Sequence, residues 1–179
     1  MAEGIANARW RFWALILLIS AVLFFVQLIP LSPGPGRFPG PDVLLLVAIA
    51  WVLRRPDYVP VILIAGVFLL ADILFMRPIG LWTAIVILGL EFLRARSVAV
   101  RDWSFLVEWL VVGVTVTAMF VAYSLVLALF VVDDAPLGLT LIRLVVTVLA
   151  YPVVVALGAR AMGLQKSAPG EVDSLGHKR

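Results

Sequence analysis

Residues 103–132 read WSFLVEWLVVGVTVTAMFVAYSLVLALFVV, thirty consecutive positions with a single charge, Glu108. At ~1.5 Å per residue such a run exceeds a ~30 Å hydrocarbon core, so it reads as one tilted membrane span with its first turn or two in the interface. The pattern repeats on either side. Downstream, Leu139–Met162 is a second apolar run, and Pro152 inside it removes one backbone hydrogen bond and predicts a kink. Upstream lie Leu81–Leu93, Tyr58–Met76, Val43–Leu53 and Phe12–Ile29. Phe12–Ile29 is interrupted only by Ser20 and Gln27, ends in no small-residue cleavage site and is long for a signal peptide, so it reads as an uncleaved first span.

Composition agrees. Of 179 residues, 64% are hydrophobic and 14% charged, against roughly 45–50% and about 25% for a soluble domain. The mean hydropathy is +1.14. No polar stretch is long enough to bury a core of its own, and residues 165–179 read as a flexible cytoplasmic tail. The expected fold is therefore all-α: one transmembrane domain over residues 1–164, with spans near 12–29, 42–53, 58–76, 81–93, 103–132 and 139–162.

The second and fourth spans are short, at about 17 and 20 Å as helices. Snorkelling arginines, local thinning of the bilayer or burial inside a bundle would each compensate. Charge sets the direction. With the N-terminus inside, inner segments carry Arg9, Arg11, Arg54, Arg55, Arg94, Arg96, Arg101, Arg160, Lys166, Lys178 and Arg179, and outer segments only Arg37 and Arg77. Eleven against two predicts that both termini are cytoplasmic. Asp133 and Asp134 then fall in an outer loop. Trp10, Trp13, Trp82, Trp103 and Trp109 near span ends match interfacial anchoring. No internal repeat supports a duplicated transporter architecture.

Ionisable groups inside apolar runs are the candidate functional residues, because leaving them in lipid is costly. Asp72, towards the outer end of the third span, and Arg143, four residues into the last, lie at comparable depth and are expected to form an ion pair or to share a network with Asp42. Asp42 follows Pro41 and also reads as a helix N-cap. Glu91 and Glu108, nearer the inner side, read as interfacial carboxylates paired with helix-end arginines. Arg54, Arg55, Arg94, Arg96 and Arg101 read as cytoplasmic basic anchors for anionic lipid. Gly113, Thr117, Ala118 and Ala122 form a small-residue face suited to helix packing.

Catalytic chemistry finds little footing. The only histidine, His177, is three residues from the C-terminus, there is no cysteine, and only Asp72 among the carboxylates is deep in a span. No residue cluster suggests a metal, and GPGRFPG at 34–40 is a proline-broken turn between spans rather than a phosphate cradle. The expectation is a protein that is no enzyme, holds no cofactor and binds no nucleic acid, leaving a scaffold or a small-molecule binding subunit.

Two motifs sharpen the choice. Pro41–Asp42 opens the short span PDVLLLVAIAW, and Gly66-VFLLA-Asp72-ILFMR-Pro78-Ile79-Gly80-Leu81-Trp82 places an aspartate near a span end before Pro-x-Gly. Together with RRPDYVP and EFLRAR, their order and spacing resemble the rod shape-determining MreD family of alphaproteobacterial type, over most of the chain. That resemblance implies a non-catalytic inner-membrane scaffold of the cell-elongation machinery. It would bind MreC and link MreB filaments to RodA and its transpeptidase partner. The family is also similar in architecture to vitamin-binding transporter subunits, which keeps the transport alternative in view.

Overall fold

The computed structural model describes residues 2–29, 40–97, 104–131 and 136–162. Among these residues there are six α-helices, one 3-10 turn and no strand: α1 (Ala2–Leu28), α2 (Val43–Arg54), the turn Pro56–Tyr58, α3 (Val61–Leu74), α4 (Leu81–Ala95), α5 (Phe105–Leu129) and α6 (Leu137–Met162). Each apolar run of the sequence is a helix. Two, Phe105–Leu129 and Leu137–Arg160, are long and apolar enough to cross a membrane. The third run loses its first turn, because prolines at 56 and 60 confine residues 56–58 to a 3-10 turn and let the helix begin only after Pro60.

Local chemistry sets the ends. Asp42 caps α2, its Oδ1 accepting the Leu45 N–H at 3.2 Å. At the end of α3, Met76 N–H reaches Ile73 O and Arg77 N–H reaches Asp72 O, with Met76 in the left-handed region at φ 52°. This is the arrangement a glycine usually completes after a helix, here carried by methionine. Gly80, at φ 84°, supplies the left-handed residue that starts α4.

The short α2 lies at the centre. It packs against α1, α4 and α6, while α3 on α4, α4 on α5 and α5 on α6 complete the wall. Leu45, Leu46, Ile49 and Val52 of α2 are fully buried, as are Val86, Leu90 and Leu93 of α4. Burial therefore accounts for the shortness of α2: a helix shielded by its neighbours need not match the length of those outside. α6 is the opposite case, long and exposed along most of one side.

Pro152 has a visible consequence. A proline at 152 cannot donate to the carbonyl four residues earlier, which is Val148. That carbonyl instead accepts the indole N–H of Trp109 on α5 at 2.9 Å. Trp109 is thus a hydrogen-bond partner of the neighbouring helix, beyond any anchoring role.

Candidate functional site

Two polar clusters of the interior sit at the two ends of α2. At its start, Asp42 Oδ2 accepts Arg143 Nη2 of α6 at 2.9 Å, and the Asp42 backbone N–H donates to Thr147 Oγ1, also on α6, at 3.0 Å. One carboxylate caps its own helix and ties it to another. The side chains of Arg143 and Asp42 are 30% and 7% exposed.

At the other end the cluster is deeper. Arg54 Nη2 lies 3.2 Å from Glu108 Oε1, with side-chain exposures of only 7% and 1%. The Tyr151 hydroxyl donates to the same Oε1 at 2.7 Å, and Arg54 Nη1 turns back to Ala50 O at 3.4 Å. Helices α2, α5 and α6 meet there. Glu108 has the arginine partner expected of it, but in the core rather than at an interface. Arg54 is correspondingly no surface anchor, because its guanidinium points inward to the carboxylate. Tyr151 was not legible as a partner from its own position. Its spacing was, since Arg143, Thr147 and Tyr151 recur every four residues and mark one face of α6.

Asp72 does something else. Its Oδ2 accepts three hydrogen bonds, from Gly80 N–H at 3.1 Å, Thr83 N–H at 3.2 Å and Thr83 Oγ1 at 2.8 Å. The expected direct pair of Asp72 with Arg143 is replaced by an Asp42–Arg143 pair, and Asp72 fastens the end of α3 to the start of α4. The physical reason is local: the first turn of α4 presents unpaired N–H groups a few residues away, and a carboxylate satisfies them and the positive helix end together. Asp72 is fully buried and its Oδ1 accepts no hydrogen bond among the described residues.

Arg77, between α3 and α4, completes this end. Its guanidinium lies over the rings of Phe75 at 5.5 Å and Trp82 at 5.7 Å. Burial lowers its pKa from the ordinary arginine value; Asp42 opposes the shift, Arg143 adds to it, and Tyr123 and Asp72 oppose it more weakly. Asp42, Asp72, Arg77 and Arg143 therefore share one electrostatic environment, although only Asp42 and Arg143 form an ion pair. By sequence alone Arg77 falls only in an outer loop. Its position between Phe75 and Trp82 was the signal of a held, rather than freely hydrated, cation.

Of the other basic anchors, Arg55 and Arg96 are exposed, with Arg96 stacked on Phe92 at 3.7 Å. Arg94 is drawn back, donating to Val59 O at 2.6 Å and lying 3.2 Å from Glu91, the expected helix-end pair. Arg101, Arg37, Asp133, Asp134 and the 165–179 tail lie outside the described residues.

Gly113, Thr117 and Ala118 line an open groove of about 530 Å³ beside α5, shared with Trp109, Leu110, Val114, Val121 and Val148. Ala122 is half-buried and outside it. The Thr117 hydroxyl donates to Gly113 O at 2.8 Å, so this face makes no further demand for a polar partner. A second, smaller cavity of about 30 Å³ lies among α1, α2 and α3, lined by apolar groups and Ser20. Neither space includes Asp42, Asp72 or Arg143. No group of three or more potential metal ligands occurs among the described residues. What the arrangement does chemically is lock helices to one another. Comparison of the chain with family models, curated proteins and solved structures gives no match.

Proposed function

We propose that the chain is a non-catalytic scaffold of the bacterial inner membrane, of the MreD type, with six spans and both termini in the cytoplasm. In this reading it binds MreC and through it, or directly, connects MreB filaments to RodA and its transpeptidase partner. The observation that carries the reading is the state of the polar groups at the Asp42 end. A subunit that captures a small molecule keeps convergent polar groups facing an accessible pocket. Here Asp42 and Arg143 are engaged with each other, and Asp72 accepts two hydrogen bonds from Thr83 of α4 and one from Gly80 just before it.

Two further features support it. The eleven-to-two distribution of basic residues favours cytoplasmic termini. The described surface carries exposed apolar side chains on α1, α3, α5 and α6, where a partner span packs through close backbone approach. The groove lined by Gly113, Thr117 and Ala118 is an open space on α5 that a partner side chain can enter.

The test is affinity purification of the tagged protein from mild detergent with mass spectrometry of what stays bound. Recovery of a single-span protein with a periplasmic domain, together with wall polymerases, is the expected result. Recovery of an ATPase module with a coupling subunit would overturn the scaffold in favour of a vitamin-type transporter.

A further inference from the structure

Helices α3 and α4 form a flank whose apolar height is fixed at both edges. From Ile62, highly exposed, to its last residue Leu74, α3 rises about 18 Å, and from Leu81 to Arg94 α4 rises about 20 Å. Between those limits the exposed side chains are Leu69, Leu70 and Ile73 on α3 and Ala84, Leu88 and Phe92 on α4, all apolar. The neighbouring α5 is different: exposed apolar residues run from Phe105 to Leu129, about 36 Å. A hydrocarbon layer of ~30 Å covers α5 with some tilt but overshoots the α3–α4 flank by roughly 10 Å.

Short spans usually meet such a mismatch by extending flanking arginines towards the headgroups. On this flank the arginines are occupied. Arg77 lies over Phe75 and Trp82, Arg94 is bonded to the Val59 carbonyl, and Arg96 sits on Phe92. Tilting the whole protein does not help either, since the long α5 packs directly on α4. We propose that the α3–α4 flank engages a locally thinned bilayer, its occupants being phospholipid acyl chains compressed to about two-thirds of the usual layer. The surface would then act on the membrane itself, drawing the two headgroup layers together beside α3 and α4 while leaving them at normal separation beside α5. This rests on the membrane-spanning reading above.

The chain has no cysteine, so single cysteines can be added to the full-length protein without removing any. Ile62→Cys and Ile79→Cys bracket the short flank, Leu106→Cys and Leu129→Cys bracket α5, and Leu70→Cys and Val114→Cys sit mid-helix. Each variant is reconstituted in phosphatidylcholine vesicles of fourteen-, eighteen- and twenty-two-carbon chains, permeabilised so that both faces meet a charged thiol reagent. Expected is rapid labelling at 62 and 79 that changes by less than about twofold with chain length, beside protected 70 and 114. Labelling at 62 or 79 that falls about tenfold between the shortest and longest chains would overturn the proposal, because the bilayer would then be covering the flank unthinned. Rapid labelling at 70 and 114 would instead overturn the membrane-spanning reading beneath it.

Discussion

Where α2 begins, it is joined to α6 by Arg143, which keeps nearly a third of its side chain exposed; where it ends, Arg54 meets Glu108 and Tyr151 in a site closed to within 7% and 1%. Both ends use a charge pair and an α6 hydroxyl. Thr147 serves at the first, Tyr151 at the second, one helical turn apart. Their energetics differ because dielectric surroundings differ. An exposed pair gains little from attraction that water already screens, whereas a buried pair that loses one partner strands the other in a medium that solvates it poorly.

The largest effect should come from Glu108→Ala, which leaves the Arg54 cation uncompensated and is expected to lower stability by about 3–5 kcal/mol, read as loss of folded protein in detergent unfolding. Arg54→Met combined with Glu108→Met should recover most of it, since removing both charges removes the stranded one. Tyr151→Phe, which deletes one donor to a carboxylate, should lower stability by about 1.5–3 kcal/mol in the same measurement. At the other end Arg143→Ala should cost only about 1–2 kcal/mol, because Asp42 keeps the Leu45 N–H and the arginine removed is itself 30% exposed, so that water can enter the place it leaves. A loss as large as that of Glu108→Ala would break the comparison. Smallest is Thr147→Val, about 1 kcal/mol, which leaves the Asp42 N–H without its acceptor while preserving shape; hydrogen exchange at that amide reports it directly.

Much of the helical content was legible because apolar runs and prolines act locally. Phe105–Leu129 and Leu137–Met162 fall within three residues of their runs, and Asp42 caps α2 as its place after Pro41 suggests. The interior pairing was legible in only one coordinate. Distance along a helix gave Asp72 and Arg143 similar depth, but which way each faces depends on how helices rotate against one another, and there Asp42 is the nearer acid. Arg54 was misplaced for a related reason: a residue at a helix end can follow the axis outward or fold back over its own last turn, and the buried Glu108 on α5 decides in favour of the second. The four-residue recurrence of Arg143, Thr147 and Tyr151 was the part of this network that local pattern could have revealed.

The bond from Trp109 to the Val148 carbonyl bears on biogenesis. In the membrane-spanning reading proposed above, α6 on its own has one peptide oxygen that its proline leaves unanswered, and the groups able to answer it are scarce once water is left behind. The donor lies earlier in the chain, on α5, and is therefore already made when α6 leaves the ribosome. The two helices are suited to enter as a hairpin, the older one carrying the hydrogen that completes the younger.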